Sequence, residues 1–124
     1  MAARSLVSVI DDDESVREAL PDLLEMCGFA SRSFASAEEF LASEGIGDTK
    51  CLILDIAMPG MGGLALHEEL RRRNCSIPVI FITALGDESI RPRVRNAGAV
   101  DCLFKPFSES ALLEAVATAL QGAR

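Results

Sequence analysis

Four short runs, at residues 6–10, 51–54, 78–83 and 99–104, are apolar almost throughout rather than alternating. Strands of that kind are buried on both faces, the condition of a parallel sheet with helices packed on either side. A fifth run, Phe29-Ala-Ser-Arg-Ser-Phe34, alternates and is more polar, so it is expected at a sheet edge. Stretches of helical period lie between the runs. Val16, Leu20, Leu23, Leu24 and Cys27 share one face of a first helix, which Gly28 is placed to end. Ser36-Ala-Glu-Glu39 reads as a capping box opening a second helix around Phe40 and Leu41. Residues 64–70 form a third, 87–96 a fourth and 108–120 a fifth, the last with Ser108 as its cap. Pro92 disturbs the fourth: either that helix begins near Arg91-Pro92 or its first turn is kinked, and Ala97-Gly98 ends it.

This alternation gives five strand–helix units with no linker, repeat or low-complexity stretch. Right-handed crossovers then lead to an α/β, flavodoxin-like, doubly wound five-stranded parallel sheet, most simply in the order 2-1-3-4-5, with five helices. Residues 1–124 are long enough for one domain with a core of its own, and a single domain is expected. No stretch is long and apolar enough for a membrane span, and Met1-Ala-Ala-Arg4 leads straight into a strand without a signal-peptide segment. A cytoplasmic chain is expected.

The first and third strands both end in acid: Leu6-Val-Ser-Val-Ile10 runs into Asp11-Asp12-Asp13, and Cys51-Leu-Ile-Leu into Asp55. In the expected strand order these ends meet at the switch point, where such sheets bind ligands beyond their carboxyl ends. Clustered carboxylates repel unless a cation holds them, and Mg2+ takes few carboxylates while leaving room for phosphate oxygens. Asp is also a competent nucleophile toward phosphorus. The fourth strand finishes in Thr83 and the fifth in Lys105, a hydroxyl and an ammonium suited to phosphoryl oxygens. Pro106 keeps Lys105 extended along its strand. The triplet leaves two registers open for a pair of acids, Asp11-Asp12 directly after the apolar strand or Asp12-Asp13. Gly60, Gly62 and Gly63 suit a tight loop after Asp55.

The remaining chemistry is sparse. Net charge is −7 and the pI about 4.6, which argues against nucleic-acid binding by this chain. Arg71-Arg72-Arg73 and the Arg91, Arg93, Arg95 series read as solvated helix ends, where cations suit the dipole. Cys27, Cys51, Cys75 and Cys102 are widely spaced without a CxxC pair, so buried free thiols are expected rather than zinc or disulfides. His67, between Leu66 and Glu68-Glu69, reads as a surface residue.

Val-Ile-Asp-Asp, Leu-Asp-x-x-Met-Pro-Gly-x-x-Gly, Ile-Thr-Ala and Lys-Pro-Phe stand in this order and spacing along nearly the whole chain. In these motifs the chain resembles the receiver domains of bacterial two-component response regulators, with the flavour of those preceding LuxR-type outputs such as the nitrogen-fixation regulators. The resemblance implies that Asp55 accepts phosphate from a histidine kinase or phosphotransfer protein. It implies Mg2+ (or Mn2+) on Asp11, Asp12, Asp55 and the backbone carbonyl of Ala57, with Thr83 and Lys105 on the phosphoryl oxygens. It further implies a switch that catalyses only its own phosphorylation and dephosphorylation, a possible homodimer through the helix 4–strand 5–helix 5 face, and control of transcription through an output domain that this sequence does not contain.

The chain departs from the family pattern at Cys102, where a Tyr or Phe usually stands three residues before the lysine, and at Pro92. Phe104 lies, by alternation, on the opposite face from Leu103. Two readings stay open: drift at a tolerant position, or a readout carried by movement of residues 83–89. Ala57 leaves an acyl phosphate open to water, so weak shielding is expected. A haloacid-dehalogenase-type phosphohydrolase would need an acid at position 57, where Ala57 stands. A phosphorylation-independent adaptor would have no use for the intact acids, Thr83 and Lys105.

Overall fold

The computed structural model describes residues 4–44, 46–84 and 90–122. Five strands alternate with five helices: β1 (Leu6–Ile10), α1 (Glu14–Met26), β2 (Ala30–Phe34), α2 (Ala37–Ala42), β3 (Thr49–Asp55), α3 (Gly63–Arg72), β4 (Val79–Ala84), α4 (Ile90–Asn96), β5 (Asp101–Lys105) and α5 (Glu109–Gly122). The strands form one parallel sheet in the order β2-β1-β3-β4-β5, as the crossover rule predicts. Successive side chains alternate between two cores. Leu52, Leu54 and Phe81 pack with Phe40, Leu66, Leu70 and Val94 under α2, α3 and α4. Cys51, Ile53, Ile80 and Ile82 pack with Leu20, Leu24, Leu112 and Val116 under α1 and α5.

The helix ends follow local chemistry. Asp13 caps α1 by accepting the Ser15 amide at 2.9 Å, and Gly28 follows the C-cap Cys27 with φ +93°. The Ser36 hydroxyl accepts the Glu39 amide at 3.1 Å, and the Ser108 hydroxyl accepts the Ala111 amide at 3.1 Å. Arg71 and Arg72 fall in the last turn of α3, with Arg93 and Arg95 in that of α4, and Glu69 pairs with Arg72 and Arg73. Pro21 lies inside α1, where it offers no donor to the Arg17 carbonyl one turn back. Pro92 lies within the described part of α4; the expected helix start at 87–89 and most of the 83–89 loop fall outside the described residues.

Three expectations need correction. β5 is not buried on both faces: it starts at Asp101, is an edge strand like β2, and keeps Leu103, Phe104 and Lys105 partly exposed. Of the four thiols only Cys51 and Cys102 are buried; Cys75 is half-buried, and Cys27 is exposed because α1 ends at Met26, one residue before it. His67 is not on the surface. It is 9% exposed, on the inward stripe of Gly63, Leu66 and Leu70, with its ring edge-on to Phe81 at 5.7 Å between centroids. Burial, then the nearby Arg71 charge, lowers its pKa below the ordinary histidine value.

Candidate functional site

Register places the acids. Ile10 of β1 pairs with Leu54 of β3, so Asp11 and Asp55, the next residues, stand side by side where the two strands end. One strand further, Asp55 is level with Ile82, and Thr83 follows it in β4. Thr83 pairs with Phe104 and Ala84 with Lys105, which brings Lys105 to the same end of the sheet.

Asp11 has no solvent exposure, Asp55 and Thr83 are buried, and Asp12 is exposed at the rim. Carboxylate oxygens of Asp11, Asp12 and Asp55 lie within 4.8 Å of one another. Asp13 is outside this group: its side chain caps α1, and its amide donates to Asp11 Oδ1 at 2.9 Å. The structure thus gathers the first of the two possible acid pairs. Lys105 reaches in from β5, its Nζ 2.9 Å from Asp11 Oδ2 and 3.9 Å from Asp55 Oδ2. Ala57 lies exposed, two residues past Asp55 in the loop before α3.

Burial, and then the charge of Asp11, push the Asp55 carboxyl up to about 7, although Lys105 pulls the other way. Burial also opposes the charge on Lys105. The contact with Asp11 and the charges of Asp11 and Asp55 outweigh that, so its pKa stands above the ordinary lysine value. The site therefore has more negative charge than its single ammonium neutralises.

The donor set fits a hard divalent cation. Asp11 Oδ2 is buried without a hydrogen-bond partner, its close neighbour being the Lys105 ammonium, and the neighbouring ligand atoms are all carboxylate oxygens. Such a set suits Mg2+ or Mn2+ and not the N/S preferences of zinc.

The loop between β3 and α3 is shaped to lie against Asp55. Gly60 has φ +75°, the left-handed conformation expected of this glycine run. Gly63 serves differently: a Cβ there would meet the Asp55 carbonyl oxygen at 2.3 Å, so only glycine lets α3 start so close to that backbone. Two contacts were not legible in the sequence. The Glu38 carboxylate of α2 accepts the Met61 amide of this loop at 3.1 Å, and Arg17 of α1 donates to the Asp11 carbonyl at 3.0 Å. The second had a signal, since Arg17 stands one turn after the acid triplet.

Comparison with known proteins agrees with this arrangement. Residues 7–117 match the family described as response regulator receiver domain. Nodulation protein W of Bradyrhizobium diazoefficiens is 42% identical over 120 residues, covering 97% of this chain and 53% of that protein. The transcriptional regulatory protein FixJ of Azorhizobium caulinodans is 41% identical over 114 residues, covering 92% of this chain and 54% of that protein. Among solved structures, the response regulator StyR superposes with a TM-score of 0.90 at 45% identity, covering 98% of this chain and 61% of that one. FixJ-N superposes with a TM-score of 0.86 at 37% identity, covering 98% of this chain and 97% of that one. The chain spans about half the length of the curated relatives it matches. With the sheet order, the acid cluster and the family match in agreement, the chain belongs to the response regulator receiver domain family of two-component systems.

Proposed function

We propose that this receiver domain is a phosphorylation-controlled switch whose acceptor is Asp55. The observation that carries this reading is the convergence of three strand ends: the acids of β1 and β3 meet the Lys105 ammonium of β5. An Asp55 carboxylate oxygen attacks the phosphorus of a phosphohistidine on a histidine kinase or phosphotransfer protein. The new oxygen–phosphorus bond forms as the phosphorus–nitrogen bond breaks, and the imidazole leaves with that electron pair and takes up a proton.

Asp11, Asp12, Asp55 and the Ala57 carbonyl would hold Mg2+ (or Mn2+). When bound, the cation neutralises carboxylate charge and stabilises charge developing on the phosphoryl oxygens. Asp55 must be ionised to attack, which its burial and the Asp11 charge oppose and the Lys105 ammonium favours. Lys105, held between Asp11 and Asp55, is within a side-chain swing of a phosphoryl group on Asp55. Thr83, next to last in the neighbouring strand β4, stands level with Phe104, where its hydroxyl would take another phosphoryl oxygen. The chain turns over no external substrate in this reading; it catalyses its own phosphorylation and hydrolysis.

The switch would be read by partners on the α4–β5–α5 face, by dimerisation or by an output domain controlling transcription. Binding of phosphate at Asp55 shifts a pre-existing equilibrium of that face. Labelling with acetyl phosphate tests the reading. Label should appear only with Mg2+ or Mn2+ present and should vanish in Asp55→Asn; label that survives this substitution would refute Asp55 as the acceptor.

A further inference from the structure

Every polar atom of Asp11 is engaged. Its amide donates to the Phe34 carbonyl at 3.1 Å, its Oδ1 accepts the Asp13 amide at 2.9 Å, and its Oδ2 faces the Lys105 ammonium at 2.9 Å. The remaining atom, the main-chain carbonyl, accepts Nη1 of Arg17 at 3.0 Å. Arg17 stands one turn into α1, half-buried, and its contact ties that helix back to the strand end it has just left.

The two cations beside Asp11 differ in what they occupy. Lys105 sits on Oδ2, the buried oxygen without a hydrogen bond, which is the atom a metal would take. Arg17 occupies only the carbonyl, so it offsets part of the acid–acid repulsion without itself taking either carboxylate oxygen. A charge-assisted bond to a backbone carbonyl also fixes the peptide plane from which the side chain springs.

We propose that Arg17 is a positioning residue for the metal site: it holds Asp11 so that Oδ2 stays presented to a divalent cation, whether or not Lys105 is paired with that oxygen. The proposal rests on the metal site of the phosphoacceptor reading, and not on phosphoryl transfer itself. Residues that orient metal ligands in this way commonly change affinity by about ten-fold or more when removed.

The test is calorimetric titration of the intact chain with Mg2+, for the native protein, Arg17→Ala, Arg17→Lys and Leu20→Ala. Leu20 is buried on the same helix, in the apolar core with Leu24 and Leu112, and controls for loss of stability alone. Arg17→Ala should weaken Mg2+ binding about ten-fold, Arg17→Lys should recover part of the loss, and Leu20→Ala should leave affinity unchanged. Acetyl phosphate labelling of Arg17→Ala should return to the native rate when Mg2+ is saturating. An unchanged Mg2+ affinity in Arg17→Ala would overturn the proposal, as would an equal loss in Leu20→Ala. If the native chain binds Mg2+ but takes no label, the phosphoacceptor reading fails while the affinity comparison still decides the role of Arg17.

Discussion

Between the ordinary carboxyl value of 3.8 and about 7, folded Asp55 keeps a proton that the unfolded chain has released. The folded state then binds more protons than the unfolded one, so stability falls as pH rises through that window. Urea unfolding with a chelator present should show this decline, and Asp55→Asn should abolish it and stabilise the metal-free chain at pH 7 by about 2 kcal/mol. Equal pH profiles for the two proteins would contradict it. The lowered pKa of His67 acts in the opposite sense, costing stability as pH falls below 6.5, and cancels when the two proteins are compared. Asp11, Asp12, Asp55, Thr83 and Lys105 were legible because a strand end can be read from where an apolar run stops. That Lys105 lies nearer Asp11 than Asp55 depends on register and side-chain reach, which no run of residues encodes. The burial of His67 is not legible from its acidic neighbours, because it is set by the inward stripe shared with Leu66 and Leu70.

The β3–α3 connection carries most of the element-level precision. Adding a methyl at Gly63 drives it into the Asp55 carbonyl, so α3 must slide off the strand end. Gly63→Ala should cost about 1–3 kcal/mol and slow labelling, whereas Gly47→Ala, with nothing within 4 Å of the added carbon, should leave both unchanged. Native stability and labelling in Gly63→Ala would refute the close-approach argument. In the same loop Ala57 is exposed and small. Ala57→Arg should lengthen the lifetime of the phosphorylated protein several-fold by covering Asp55, and an unchanged lifetime would show that water reaches the phosphoryl group by another route. Turn chemistry made Gly60 legible, but the need for Gly63 comes from two backbones meeting in space. On the neighbouring elements, Cys102 is buried under α4, while the Arg91 guanidinium lies over the Phe104 ring, 4.6 Å from its centroid. The aromatic on that sheet face therefore sits two residues later than the family pattern puts it, beside Lys105 and level with Thr83.

For the molecule as a whole, strand order was the decisive inference, since it turned acids some forty residues apart into one cluster. It was legible because parallel crossovers have one hand and buried strands announce themselves as apolar runs. Element ends are legible to within a few residues wherever a cap or glycine marks them; the start of β5 is not, because Ala99 and Val100 are apolar yet precede the strand. The central claim is that this whole arrangement exists to phosphorylate one residue. Its most direct test is to label the chain with acetyl phosphate and Mg2+, reduce the acyl phosphate with borohydride, and locate the reduced residue by peptide mass spectrometry. Reduction at Asp55 alone is the predicted result; reduction at Asp11, Asp12 or Asp13 instead, or no label with Mg2+ saturating, would contradict it.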